Sequence, residues 1–281
     1  MIGRVTDRRV VRDLLAEAGV RPSKKLGQSF LVDVGVLADI ERTLAGVTPE
    51  TIVEIGPGLG AVTEVLLRHA RRVVAVEVDR RLAGLLGERL GKCSRLEVRN
   101  EDVLRFDIAG EFGDVPVHAV GSLPYRITAP ILRWLIDQRG VLSGALLITQ
   151  REVAEKIAAS PGKGGSALGI LVRAYAEVDI MRKVGRGSFF PIPEVDSTLW
   201  GLTFLDRPRF ASDSVVFFSV VRALYGTRRK MIRGALRALL PAEAIGAVLE
   251  EARIDGAVRG EELDFEQLDR LAAATKRLDV L

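Results

Sequence analysis

Between residues 51 and 150, apolar runs of strand length alternate with stretches of helical spacing. That alternation constrains the fold more than any other feature of the chain. "TIVEIGPG" (51–58) is an apolar strand running into glycines, and "AVTEVLLRHA" (61–70) has helical spacing. "RRVVAVEVD" (71–79) is a second strand ending in acids, followed by a helical "RLAGLLGERL" (81–90). "SRLEVRNEDV" (94–103) holds a short third strand and "VPVHAVGSL" (115–123) a fourth. "APILRWLIDQ" (129–138) reads as a helix with Thr128 as its N-cap, and "GALLITQ" (144–150) as a fifth strand. Strands and helices in this order predict an α/β fold, a mostly parallel sheet with helices on both faces.

From about residue 175 the pattern changes. "YAEVDIMRKVG" and "DSTLWGLTF" read as two strands with no helix between them, joined by "RGSFFPIPEV", whose two prolines hold it extended. Two consecutive strands after an alternating series predict an antiparallel hairpin at the sheet edge. "LDRPRF" (205–210) then breaks the pattern, and helical spacing follows over 214–224, 229–239, 241–252 and 264–276. A boundary near 206 divides the chain into a ligand-binding domain, 1–205, and a smaller helical domain, 206–281.

Composition removes several function classes. One cysteine, Cys93, excludes an internal disulfide and fits a reducing cytoplasm. Two histidines, His69 and His118, leave almost nothing for a zinc site or a Ser/His pair, so no metal is expected. No apolar run approaches the roughly 20 residues that span a bilayer, and the charged N-terminus is a poor signal peptide. No apolar interface stripe is evident, which points to a monomer.

"EIGPGLGA" opens a helix directly after the first strand, and Gly56, Gly58 and Gly60 permit a tight turn and close approach of a ligand. The spacing satisfies the dinucleotide pattern, but Pro57 removes a backbone N–H that a pyrophosphate would use. S-adenosylmethionine has no phosphate and asks less of that loop. Glu77, at the end of the second strand, can accept both ribose hydroxyls of either cofactor. Asp102, after the third strand, can accept from an adenine amino group, with Val103 packed on the ring. An acid at a strand end is often only a cap. Here the loop and two acids fall at successive strand ends, where ligands of open α/β sheets bind.

"SLPY" follows the fourth strand on the same edge. The four residues alone fit a proline turn with an exposed tyrosine equally well. As a clamp, Tyr125 would stack on a planar base while Pro124 aims its carbonyl inward. An exocyclic amine is a poor nucleophile, and acceptors on its N–H bonds hold it near a methyl donor without a strong base.

These segments together resemble the small-subunit rRNA adenine dimethyltransferases, the KsgA type, along almost the whole chain. The matching runs are "KKLGQSFLVD" (24–33), "VEIGPGLGAVTEVLL" (53–67), "VVAVEVD" (73–79), "NEDVL" (100–104), "GSLPY" (121–125), "SFFPIPEVDS" (188–197) and "RRKMIR" (228–233). The Erm-type resistance methyltransferases share the core motifs, but "FFPIPEVDS" and the helical tail look more like the KsgA type. The resemblance implies a Rossmann-like methyltransferase sheet using S-adenosylmethionine to methylate adenine N6 in the rRNA of an immature small ribosomal subunit. It implies that Gln28, Ser29 and Leu31 border the cofactor, and that Gly56, Gly58 and Gly60 hold its methionyl end. Glu77 and Val78 would bind its ribose end, and Asp102 and Val103 its adenine. Ser122 and the Pro124 carbonyl would hold the target amine, with Ser122 also beside the cofactor; Leu123, Pro124 and Tyr125 would supply the turn and stack, and Tyr125 and Phe189 would sandwich the target adenine. Three positions depart from the family pattern: Ser122 stands for Asn, Ser29 for the usual Asn, and Leu168 for an aromatic.

From Ser214 to Ala242 there is no Asp or Glu, while Arg222, Arg228, Arg229, Lys230, Arg233 and Arg237 fall in that stretch. Spacing of three to four residues predicts Arg229, Arg233 and Arg237 on one helical face, suited to phosphate contacts or to a solvated face. Arg21, Lys24 and Lys25 add a basic segment near the cofactor mouth. A weakly catalytic ribosome-assembly RNA-binding factor, an Erm-type large-subunit enzyme and a small-molecule N-methyltransferase are the competing readings. The last leaves the basic tail unexplained.

Overall fold

The structure, a computed structural model, describes residues 5–23, 27–160, 165–226 and 230–278. Lys24, Lys25, Arg228 and Arg229, expected to meet RNA, lie outside the described residues.

The chain opens with α1 (Arg8–Glu17), the two-residue β1 (Phe30–Leu31) and α2 (Val34–Val47). The alternating stretch then follows: β2 (Thr51–Ile55), α3 (Ala61–His69), β3 (Arg72–Val76), α4 (Arg80–Leu90), β4 (Leu96–Arg99), α5 (Ile108–Phe112), β5 (Val117–Ser122), α6 (Thr128–Asp137) and β6 (Leu142–Gln150). After α7 (Arg151–Ala158) and α8 (Ala167–Tyr175) come β7 (Ala176–Val184), β8 (Phe189–Phe190) and β9 (Ser197–Phe204). The tail holds α9 (Ser214–Gly226), α10 (Ile232–Ala235), α11 (Ala244–Ala252) and α12 (Phe265–Arg277). No helix among the described residues is long and apolar enough to cross a membrane.

Seven strands form one sheet in the order β4-β3-β2-β5-β6-β9-β7. The pairs from β4 through β6 are parallel, and β9 runs antiparallel to β6. All five residues of β2 are buried, whereas every residue of the edge strand β4 is partly exposed. Parallel strands covered on both faces need continuous apolar runs, and "VVAV" supplies one in β3. The order of strands reverses between β2 and β5, so the β2 and β5 tips flank a crevice at the switch point.

Two compact units make up the chain: Met1–Ala154 with Asp179–Phe204, and Glu155–Val178 with Leu205–Leu281. In the first, Val36, Ile40 and Leu44 of α2 recur every four residues and are buried in one cluster with Val65, Leu66 and Ile52. In the second, Phe210 stacks on Phe217 with ring centroids 4.2 Å apart, and Tyr175 and Phe218 complete an aromatic cluster. Asp264 and Gln267 cap α12 reciprocally.

Two local expectations are corrected. Thr128 does not cap α6: it is the first helical residue, and its hydroxyl donates to the Pro124 carbonyl at 3.2 Å. The helix expected over 229–239 is broken. Met231 is extended and bridges to Arg259, α10 spans only Ile232–Ala235, and a 3-10 turn, Leu236–Ala238, ends it. Pairing of Met231 with Arg259 competes with the helix at its start, because a residue cannot be extended and helical at once.

Candidate functional site

A cavity of about 260 Å³ opens where the ends of β2, β3 and β5 meet the chain from Gly27 to Leu31. Its floor is the loop after β2. Gly56, Gly58 and Gly60 have φ of 66°, 55° and 85°, left-handed values that favour glycine. Gly56 and Gly58 line the cavity, and a Cβ on Gly56 would meet nothing within 4 Å. A Cβ on Gly58 would lie 2.9 Å from the Phe30 ring. Gly60 does not line the cavity: its Cβ would lie 2.6 Å from Leu86, so its role is the close packing of α3 on α4.

Glu77, 6% exposed, stands at the end of β3. Gly58 N–H donates to one of its oxygens at 3.2 Å and Asp79 N–H to the other at 3.0 Å. Burial pushes its carboxyl up, and these two amides pull the other way. Asn100, at the end of β4, donates to the Glu77 carbonyl at 2.8 Å and joins the two strand ends. Asp102 caps the short turn Val103–Arg105 through Leu104 N–H at 3.0 Å, and both Asp102 and the buried Val103 line the cavity. Val78, 56% exposed, adds an apolar rim beside them.

The opposite wall comes from far along the chain. Gln28, Ser29 and Leu31 all line the cavity. Gln28 donates to Asp79 at 2.9 Å and accepts from Ser23 N–H at 2.8 Å, which ties this segment to the start of α4. The Ser29 hydroxyl donates to the Pro191 carbonyl. At the tip of β5, Ser122 and Pro124 line the cavity, whereas the buried Leu123 does not; its N–H donates to Ile148 at 2.9 Å. Tyr125 is not among the lining residues; it sits half-buried beside them, its hydroxyl 3.0 Å from Ser197 Oγ.

Two expectations for this wall do not hold in the structure. The Pro124 carbonyl accepts from Ile127 N–H at 3.1 Å and from the Thr128 hydroxyl at 3.2 Å. Both of its lone pairs serve the turn, so it is not aimed at a substrate. Phe189 is 2% exposed and belongs to the core cluster with Leu31, so it offers no free ring face. The cause is strand alternation: Leu31 and Phe189 pair and point to one side of the β1–β8 ribbon, Phe30 and Phe190 to the other.

Glu54 was not singled out from the sequence. It lies inside β2, 2% exposed, lines the cavity and accepts from the Thr63 hydroxyl at 2.6 Å. Burial pushes its carboxyl up to about 8, with Glu77 adding in the same direction. An acid within an otherwise apolar strand was the available signal. Among the described lining residues, Glu54, Glu77, Glu101 and Asp102 face one arginine, Arg126, and no lysine. Even with Glu54 held mostly protonated by its burial, the lining carries more acid than base, which suits a cationic ligand and opposes a pyrophosphate.

Of the basic residues, Arg21, Arg222, Lys230, Arg233 and Arg237 are exposed. Arg222 donates to the Ser219 hydroxyl at 2.9 Å.

Comparison with known proteins gives the chain's relatives. A ribosomal RNA small subunit methyltransferase A of Geobacillus thermodenitrificans is 39% identical over 276 residues, covering 94% of each chain. The protein of the same name from Pseudomonas aeruginosa is 38% identical over 256 residues, covering 90% of this chain and 94% of its own. Among solved structures, the 23S rRNA methyltransferase ErmE superposes with a TM-score of 0.68 at 29% identity, covering 88% of this chain and 99% of its own. A dimethyladenosine transferase from Plasmodium falciparum shares the fold with a TM-score of 0.77 at 24% identity, over 89% of this chain and 98% of its own. The profile described as ribosomal RNA adenine dimethylase matches residues 20–276, and the chain belongs to that family.

Proposed function

We propose that this chain is an S-adenosylmethionine-dependent methyltransferase acting on adenine N6 in small-subunit rRNA, on immature subunits in the cytoplasm. The observation that carries it is the cavity whose acidic, apolar lining ends at the Ser122–Pro124 tip. S-adenosylmethionine, when bound, supplies an electrophilic methyl on a positively charged sulfonium. Glu77 would accept from the ribose hydroxyls, held in place by the Gly58 and Asp79 amides. Gly56 leaves open space for the methionyl end. Asp102 and Val103 would take the adenine by a hydrogen bond and by packing.

On the substrate side, the Ser122 hydroxyl lines the cavity at the tip, whereas the Pro124 carbonyl is committed to the turn. Ser122 would accept from the amine N–H so that the nitrogen lone pair faces the donor, which is catalysis by positioning. Tyr125 would stack on the extruded base, a contact worth ~1–3 kcal/mol. Relatives named for the small subunit, at 38–39% identity, support this substrate over the large-subunit one.

The test incubates the protein with unmethylated small subunits and labelled cofactor and maps modified adenines by mass spectrometry. Label on an N6-methyladenine of the small-subunit rRNA is the expected result. Binding without transfer would favour an assembly factor. Ser places its oxygen nearer the backbone than Asn would. Ser122→Asn should therefore raise the single-turnover rate, by up to the ~100-fold that one well-placed transition-state contact supplies. An equal or slower rate would show a pocket rebuilt around serine.

A further inference from the structure

The run "FFPIPEVDS" ends in a residue that the proposed chemistry leaves unused. Ser197 is the first residue of β9, 0% exposed, and pairs with Gln150 at the end of β6. A fully buried strand position ordinarily takes an apolar side chain, and a hydroxyl there needs a partner. The partner is the Tyr125 hydroxyl, 3.0 Å away and 72 residues earlier in the chain.

We propose that Ser197 is a positioning residue that fixes where the Tyr125 ring lies, and with it the stacking face offered to the target base. The proposal rests on Tyr125 being that stacking platform. Tyr125 begins the turn Tyr125–Ile127 directly after Pro124, and its neighbours Pro124 and Arg126 both line the cavity. Its ring is joined to that turn through two torsions, so backbone geometry alone does not set the ring plane. A hydrogen bond at the far end of the ring fixes the direction of its long axis, on which the hydroxyl oxygen lies, and the in-plane preference of a phenol's hydrogen bond orients the ring about that axis. The anchor is rigid, because Ser197 sits in the β6–β9 ladder whose neighbouring Thr149 hydroxyl accepts from Trp200 at 3.0 Å.

The preceding residue supports the same segment. Asp196 accepts from Arg186 N–H at 3.0 Å, and its carbonyl accepts from Arg151 N–H at 3.0 Å, which holds both ends of the chain from 186 to 197. Burial and the Asp196 carboxylate also push the Tyr125 phenol up, so it remains protonated and able to share the bond. A stacked base out of register by an ångström can lose two orders of magnitude in rate. The position of this ring therefore bears on kcat more than on cofactor binding.

The experiment is a double-mutant cycle of single-turnover methylation on unmethylated small subunits. It uses the full chain as wild type, Ser197→Ala, Tyr125→Phe and the double variant, with Tyr125→Ala and Ser197→Thr beside them. Ser197→Ala and Tyr125→Phe should each slow the methyl-transfer step about tenfold, with cofactor affinity unchanged, and the double variant should be no slower than either. Ser197→Thr, which restores the hydroxyl, should recover most of the rate. Effects that multiply in the double variant, or a wild-type rate for Ser197→Ala, would overturn the proposal. A purely structural serine would also act in the Tyr125→Phe background, which the cycle detects without reference to folding. Wild-type activity of Tyr125→Ala would instead remove the stacking role itself, and the proposal with it.

Discussion

The two walls of the cavity are built differently. On the wall proposed to hold the cofactor, each group lies within a few residues of the strand that carries it: Gly56 and Gly58 after β2, Glu77 after β3, Asp102 after β4. On the opposite wall the partners are remote: Ser29 reaches Pro191 across 162 positions, and Tyr125, beside that wall, reaches Ser197 across 72. The first wall is local sequence presented by a parallel sheet. The second is tertiary structure, and a motif match predicts its members without predicting which way they face.

The largest effect that would sharpen this contrast belongs to Glu54, the buried acid of the local wall. Its folded value of about 8 lies above the ordinary carboxylate value of 4.5. The fold therefore favours the protonated form. That contribution is fully present below about pH 4.5, is lost as pH rises to about 8, and stays constant above. Relative to Glu54→Gln, the natural protein should lose stability on raising the pH through this window, at up to ~1.4 kcal/mol per unit. Denaturant melts of both proteins at pH 5, 6.5 and 8 provide the measurement. Parallel curves would place Glu54 in water. A cationic ligand beside it should narrow the gap, so cofactor should stabilise the natural protein more at pH 8 than at pH 6.

Next in size is Glu77→Ala. On the proposed ribose contact it would remove two charge-assisted hydrogen bonds, each worth ~1.5–3 kcal/mol, and should weaken S-adenosylmethionine binding by at least ~100-fold in calorimetry. Small-subunit binding should hold. Equal losses in both would mean that the substitution has collapsed the loop and that the two walls are one cooperative unit.

This contrast also explains how much could be read from the sequence. The alternation from 51 to 150, the glycine turn and the strand-end acids were readable because each rests on period and spacing along the chain. Phe189 was misplaced because alternation in a two-residue strand has no periodic signal, and only its pairing with Leu31 decides the side. The Pro124 carbonyl was misread for a related reason. Thr128 looked like a cap for its own helix, yet its hydroxyl turns back to that carbonyl. Glu54 was passed over because a strand acid has no motif until its burial is known. Ser122, Glu77 and Asp102, by contrast, fall on the cavity where their strands end.

Gly58→Ala should have a smaller effect and separates packing from ligand space. Its φ of 55° disfavours any side chain, and the new Cβ would press on Phe30 at 2.9 Å. A cost of ~1–3 kcal/mol is expected, about 2–4 °C in Tm for each kcal/mol. Gly56→Ala, with φ of 66° and nothing within 4 Å, should cost less stability but place a methyl in the cavity and weaken cofactor binding. If Gly56→Ala destabilises more than Gly58→Ala, the Phe30 contact is not what holds the segment over the loop.

The smallest expected effect concerns the helical tail, where the sequence pattern and the structure diverge most. One continuous face carrying Arg229, Arg233 and Arg237 would present a row of charges to a phosphate backbone. Instead α10 ends after Ala235, and Arg237 stands in the following 3-10 turn. Arg233 and Arg237 are nevertheless both exposed, within a stretch that holds no acid from Ser214 to Ala242. Phosphate contacts need exposure and charge, and they do not need a regular helix, so the break in the helix leaves the expectation standing. Each arginine that neutralises a phosphate releases counterions. Removing it should reduce the slope of log K against log salt by ~0.7–0.9, the larger value for a duplex. Arg233→Ala and Arg237→Ala should each produce this change in binding to small-subunit rRNA, and the double variant about twice it, with S-adenosylmethionine affinity unaltered. An unchanged slope would identify a solvated surface, and the acid-free run would then reflect something other than RNA. A slope change for Arg233 alone would locate the phosphate path on the α10 side of the break.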